Sequence, residues 1–201
     1  MTHFRKMNDS DDINLVANGI YSTDMKLFNL LFKNSDRAVK AIELLIDSKY
    51  VNPFHRDFVT VVCDDNDHME GFIVSYFSRD VSLEYTVYAL LDTGFTNMSK
   101  ILLNELLVMF FASGIHGYDY YIGNLYVFMK YRKKGLGSKL VEKVKQKARV
   151  HNARFVRLDV NYGERHLLKF YENLGFTMDK DNCYRFLGKI YGCYGLVYEI
   201  R

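Results

Sequence analysis

Residues 120–138 read Y-Y-I-G-N-L-Y-V-F-M-K-Y-R-K-K-G-L-G-S, and the order of residue types within them decides how the rest of the chain is read. An apolar and aromatic run with strand propensity ends near Val127. A short basic turn follows, with glycines at 135 and 137, and from Leu136 apolar residues recur every four positions through Leu140, Val144 and Ala148. The expectation is a strand, a loop and a helix N-terminus in immediate succession. The first turn of a helix leaves N–H groups unpaired at the positive end of the macrodipole, and glycine lets a ligand approach that backbone with no Cβ in the way. Arg132, Lys133 and Lys134 add formal charge at the same place, so a polyphosphate uses it better than a single carboxylate would.

Spacing narrows the ligand. The phosphate loop of nucleotide hydrolases needs G-x-x-x-x-G-K followed by Ser or Thr, and the dinucleotide fingerprint needs G-x-G-x-x-G with a later acid; neither fits here. Instead Leu125 and Val127, followed by Arg132, Gly135 and Gly137, give L-x-V and then R-x-x-G-x-G. This resembles the acetyl-CoA motif of the GNAT superfamily of N-acetyltransferases. A second block, residues 155–176, reads F-V-R-L-D-V-N-Y-G-E-R-H-L-L-K-F-Y-E-N-L-G-F. Val156, Leu158 and Val160 alternate there with Arg157 and Asp159 as a strand does, and F-Y-E-N-L-G-F is similar to the closing F-Y-x-x-x-G-F of the same family. The resemblance is specific over residues 125–176 and loose over the N-terminal half.

The resemblance implies a mixed α/β fold of GNAT type, in which a central sheet flanked by helices contains a splayed parallel strand pair. It implies acetyl-CoA as co-substrate and transfer of the acetyl group to a primary amine by direct attack in a ternary complex. Carried over residue by residue, it makes Leu125, Tyr126 and Val127 the strand end that pairs with the pantetheine arm, with the thioester carbonyl near the Val127 N–H. Arg132, Lys133, Lys134, Gly135, Leu136, Gly137 and Ser138 form the pyrophosphate turn. Tyr171 matches the tyrosine that protonates the leaving thiolate. Two positions depart from the pattern: many relatives have asparagine where Glu164 stands and alanine where Leu167 stands. No acid lies in residues 120–127 to match the central-strand glutamate of some members. Asp119, Asp24 and His55 stay open as bases, as does ordered water. A non-catalytic CoA-binding sensor or scaffold is the alternative reading.

Length and composition bound these expectations. A chain of 201 residues, 49% hydrophobic, suits one globular domain spanning residues 1–201. The formal net charge is +3, but nine Lys or Arg lie in residues 130–149 against the single acid Glu142. Several of these lysines fall on the outward face of an amphipathic helix, so a nucleic-acid partner is not expected. Cys63, Cys183 and Cys193 form no paired framework, and six scattered histidines show no ligand spacing, which gives no case for a structural metal. No apolar run reaches the ~18 residues of a membrane span, and the first ten residues lack the core of a signal peptide; the cytoplasm is the expected compartment.

In chain order, the pattern predicts an edge strand near residues 2–7 and a helix capped by Ser10 and running to about Ile20. A second helix starts at Thr23 or Asp24, and a third shows one face through Ala38, Ala41, Ile42 and Leu45. A hairpin joins residues 58–63 to 71–77 across an acidic turn. Residues 78–100 read as strand-like pieces, for example 85–90. Residues 98–111 read as an almost wholly apolar helix: core, the surface of a possible homodimer, or an acyl-channel wall. Two last strands are expected near residues 177–185 and 195–200. The amine acceptor is not legible.

Overall fold

A computed structural model of the chain describes residues 2–96, 99, 117–182, 184–186 and 189–200. Nine strands and six helices are assigned among them. Strands β1 (His3–Lys6), β2 (Val59–Cys63), β3 (Met69–Phe77), β4 (Asp119–Val127), β5 (Phe155–Asn161), β6 (Thr177–Asp181) and β9 (Cys193–Glu199) form one seven-stranded sheet in the order β1-β2-β3-β4-β5-β9-β6. Strands β7 (Tyr184–Phe186) and β8 (Lys189–Tyr191) make a separate two-stranded hairpin. Every neighbouring pair in the large sheet is antiparallel except β4 and β5.

Three helices precede β2: α1 (Ile13–Thr23), α2 (Met25–Phe32) and α3 (Ser35–Ile46). Each begins on a side-chain cap that satisfies an orphan N–H of the first turn. Asp24 accepts from the Leu27 N–H at 3.1 Å and Asn34 from the Arg37 N–H at 3.0 Å. At α1 the cap is Asp12, which accepts from the Leu15 N–H at 3.1 Å, and not Ser10, whose hydroxyl donates to Asn8 Oδ1 at 2.7 Å. Two carboxylates follow Ser10 in the chain, and the one nearer the apolar stripe takes the capping position.

The segment from 83 to 92 corrects the sequence reading more substantially. It is a helix, α4 (Leu83–Asp92), started by Ser82 and burying Thr86, Val87, Ala89 and Leu90. Tyr, Thr and Val raise local strand propensity, but the tertiary burial of one helical face overrides it. The chain end also differs from expectation, because β9 enters between β5 and β6 and the stretch before it folds into the β7–β8 hairpin. The apolar helix expected over 98–111 lies outside the described residues.

Side-chain alternation splits the core in two, one part on each face of the sheet. Val16, Ile20, Phe28, Phe32, Ile42 and Leu45 from α1–α3 pack with Val59, Val61, Phe72 and Val74. On the opposite face, α5 (Leu136–Val150) lays Leu136, Leu140, Val141, Val144 and Ala148 against Ile73, Tyr120, Ile122, Val156, Leu158 and Val160. α5 thus carries the chain from β4 to its parallel neighbour β5, the crossover expected from the four-residue repeat.

Candidate active site

β4 has two halves. On its β3 side it is paired along nearly its whole length, from Tyr120↔Phe77 to Val127↔Gly71. On its β5 side the pairing covers only Asp119↔Phe155 through Ile122↔Leu158. Beyond Ile122 the parallel strands part. A register shift opposite Val74 and Ser75 leaves Gly123 as the extra residue of a bulge there. The Phe128 N–H donates to Glu70 O at 3.1 Å, so by antiparallel alternation the N–H groups of Leu125 and Val127 point away from β3 and into the gap. A strand edge with unsatisfied backbone groups is a template for an extended ligand, and the pantetheine arm of CoA carries two amides.

The gap ends at the basic turn. Lys133 and Gly135 both adopt left-handed backbone, φ 62° and 75°, which curls the chain tightly before α5. Gly135 stands at the N-cap of α5 and has no side chain to cap the first-turn N–H groups of Leu136, Gly137 and Ser138. Arg132 is tied back toward the gap: its Nε donates to Val127 O at 2.9 Å and its guanidinium lies 5.4 Å from the centre of the Tyr126 ring. Lys130 and Lys134 stand beside the Tyr131 ring, at 4.7 Å and 5.3 Å, and Arg132, Lys133 and Lys134 are exposed. A Cβ placed on Gly137 would meet Phe170 Cζ at 3.4 Å and Leu125 Cδ2 at 3.9 Å, which puts that glycine at the seam between the turn, the open strand end and the second block.

The second block supplies α6 (His166–Glu172). Its end is a Schellman-type reversal: Phe176 N–H donates to Tyr171 O at 3.1 Å, Gly175 N–H to Glu172 O at 2.8 Å, and Gly175 holds φ 81°. Phe170, Tyr171 and Phe176 pack edge to face, with centroids 4.9 Å and 5.7 Å apart, which fixes the Tyr171 ring. Tyr171 is buried, and that burial raises its phenol pKa above the ordinary value. It is therefore a neutral O–H donor at any physiological pH.

These two blocks meet at Gly137, and a family model described as the acetyltransferase (GNAT) family matches residues 40–176. The chain belongs to the GNAT acetyltransferase family. The fold agrees throughout. A crystal structure of an acetyltransferase superposes with a TM-score of 0.66 at 13% identity, covering 99% of this chain and 100% of the other. An N-acetyltransferase from Staphylococcus aureus Mu50 gives 0.65 at 17%, covering 98% and 100%. The ribosomal-protein-S18-alanine N-acetyltransferase from Escherichia coli gives 0.55 at 15%, covering 100% and 94%. No curated protein matches the chain at significant sequence similarity.

Within this GNAT chain, the base candidates taken from the sequence are engaged elsewhere. Asp24 caps α2, and His55 sits in a loop with its Nδ1 3.3 Å from Asp57. Asp119 is buried and accepts from Arg157 Nε at 2.6 Å, while Arg157 Nη1 reaches Asp179 at 2.6 Å. That triad ties the start of β4 to β5 and β6. Glu164 lies in a 3-10 turn (Tyr162–Glu164) beside His166, at 3.6 Å. Tyr76, Tyr121 and Asp159, which no motif in the sequence marks, are gathered by the fold at the mouth of the gap. The signal was present in the polar alternation of β5, but the partner tyrosines lie 38 or more positions away in the chain.

A second grouping was also hidden by chain spacing. His3, Cys63 and Asp67 lie close enough together to share a cation. However, Arg5 already holds both Asp67 oxygens, at 2.9 Å and 3.0 Å, and also bonds Asp11. Arg5 holds the Asp67 carboxyl down at about 2, and burial pushes the Cys63 thiol up to about 11. A protonated thiol and a carboxylate committed to arginine make a lock for the edge strand β1. No helix among the described residues is long and apolar enough to cross a membrane.

Proposed function

We propose that the chain is an acetyl-CoA-dependent N-acetyltransferase that acts on a primary amine by direct attack in a ternary complex. The observation that carries the reading is the parting of β4 from β5 beyond Ile122, because the gap so formed runs straight to an uncapped, lysine- and arginine-flanked helix start. Bound acetyl-CoA would supply an activated thioester carbonyl. The chain's own groups would do the rest. Arg132, Lys133, Lys134 and the first-turn N–H groups of Gly135, Leu136, Gly137 and Ser138 would hold the pyrophosphate. The backbone of Leu125, Tyr126 and Val127 would align the pantetheine arm, with the Val127 N–H polarising the carbonyl. Tyr171 would donate its proton to the departing thiolate.

The tight aromatic packing of Tyr171 favours one second reading, a CoA-binding sensor in which that tyrosine is structural. One experiment separates the two. Calorimetry with CoA and with pantetheine tests the turn, and thiol release from acetyl-CoA in the presence of spermidine, kanamycin, free lysine and an alanine-initiated hexapeptide tests turnover. The enzyme reading predicts much tighter binding of CoA than of pantetheine, together with turnover of at least one amine. Tight CoA binding without turnover of any of them supports the sensor.

A further inference from the structure

The α1–α4 face of the sheet carries a polar cluster at the point where β4 and β5 separate. Val156, Leu158 and Val160 belong to the α5 side, so Asp159 faces the other way, as do Tyr121 of β4 and Tyr76 of β3, whose neighbours Phe72 and Val74 pack with α1–α3. The Gly123 bulge resets the alternation of β4, which brings Asn124 to the same face as Tyr121. The side-chain bond from Asn124 Nδ2 to Thr23 Oγ1 of α1, 2.7 Å, agrees with that placement.

The groups in this cluster are acceptors and ring faces. Tyr121 donates its hydroxyl proton to Asp159 Oδ2 at 2.7 Å, and the Tyr76 ring lies 5.7 Å from that of Tyr121. Burial, with the Asp159 charge adding to it, raises the pKa of both phenols, so they remain neutral beside a carboxylate. The Thr23 hydroxyl spends its proton on Ile20 O at 2.7 Å, which fixes the Asn124 amide with its NH₂ toward Thr23. Asn124 Oδ1 is then buried without a hydrogen-bond partner among the described residues. An unsatisfied buried carbonyl is destabilising and is completed by any donor that reaches it. Nearby, Arg157 Nε donates to Asp119 Oδ2 and its Nη1 to Asp179 Oδ2, each at 2.6 Å.

We propose that this cluster is the acceptor subsite, which takes the substrate as a primary ammonium held by Asp159, the Tyr121 oxygen and Asn124 Oδ1, with Asp159 receiving its proton. The inference rests on the acetyltransferase reading and adds a substrate class to it: a cationic amine with no carboxylate next to the reacting nitrogen. In the step, R-NH₃⁺ gives one proton to the Asp159 carboxylate, which then passes it to solvent. The freed lone pair forms the C–N bond at the thioester carbonyl, the nitrogen loses its second proton by the same route, and the C–S bond breaks. The electron pair of that bond leaves on sulfur, which is protonated from Tyr171. Asp159 is a catalytic residue in this scheme, and Tyr121 is a positioning residue that aims its carboxylate.

The test uses the full chain, the four amines named above and CoA calorimetry. D159N should lower kcat/KM for the best amine by roughly 10² or more, as loss of a general base does, and keep CoA affinity within about threefold. Y121F, which removes one hydroxyl and keeps the ring, should lower kcat about tenfold with a smaller change in KM, since it disturbs aim more than charge. Spermidine, kanamycin and the hexapeptide should exceed free lysine acetylated at its α-amine by about tenfold or more, because its adjacent carboxylate meets Asp159. If D159N turns over the best amine within about threefold of the parent, or if Y121F does so where D159N fails to fold, the subsite is wrong while the proposed activity stands. If the parent binds CoA and acetylates none of the four, both the activity and the subsite fall.

Discussion

On the α5 side of the sheet, apolar residues from α5, β5 and α6 close around Tyr171 and lead to a turn whose glycines and charges have fixed spacings in the chain. On the α1–α4 side, Tyr76, Tyr121, Asn124 and Asp159 come from three strands and owe their meeting to a bulge and to strand pairing. The first face is written locally, because a phosphate turn is a property of consecutive backbone. The second is written in the topology, because its side chains come from separate strands.

The comparison breaks most visibly at Gly137. It lies in ordinary helical backbone and its Cβ position touches Phe170 and Leu125 only at van der Waals distance, so G137V is expected to fold. The added methyl groups should fill the seam where the turn meets the open strand and weaken CoA binding by roughly 10² or more, since a blocked backbone approach cannot be recovered by side chains. Calorimetry checks the affinity and thermal unfolding checks the fold. Unchanged affinity would move the cofactor site off this face.

Tyr171→Phe comes next. The ring stays in its edge-to-face cluster, CoA affinity should stay within a few-fold, and kcat should fall by roughly 10² as a general acid is lost. Burial raises the Tyr171 pKa, so the parent should keep its kcat at pH values where an ordinary tyrosine ionises, and the alkaline limb should vanish in the variant. Equal kcat in parent and variant at all pH values would make the residue purely structural.

Asp119→Asn tests what joins the two faces. It leaves Arg157 with Asp179 alone and removes a buried charge partner, which should cost ~2–4 kcal/mol of stability in denaturant unfolding. The zipped half of β4 depends on this triad, so the loss should appear in stability and only secondarily in CoA affinity. A smaller effect is expected from Arg132→Ala, about tenfold in CoA affinity and less at high salt, because the group is exposed and screened. Alkaline stability gives the smallest signal. Tyr76, Tyr121 and Tyr171 all have folded pKa values raised above the unfolded one, so their contribution is complete below about pH 10 and is lost as pH rises through the folded values. Alkaline melting curves of the single Tyr→Phe variants check this, each variant losing less stability above pH 10 than the parent.

Much of the fold was legible because periodicity reports burial. Leu136, Leu140, Val144 and Ala148 read as one helical face and are buried; Val156, Leu158 and Val160 read as one strand face and are buried. Asp24, one of the two expected starts of the second helix, caps it. Residues 83–92 misled because Tyr85, Thr86, Val87 and Tyr88 are strand formers held in a helix by burial of one side. The turn and helix start after β4 could be read from the glycines of R-x-x-G-x-G because that geometry is local. Tyr121 and Asp159 could not be paired from the chain, since only the parallel register that sets Tyr121 beside Arg157 brings the next outward residue of β5 to the tyrosine hydroxyl.

The central claim is that CoA lies along the open end of β4 and terminates on the start of α5. Titrating CoA into isotopically labelled protein and following backbone amide resonances tests this directly. The largest shifts should fall on Leu125, Val127 and the amides of Gly135, Leu136, Gly137 and Ser138, with the edge strand at His3 and Arg5 unmoved. Saturable binding that leaves the Val127 and Gly137 amides unshifted while moving another region would contradict it.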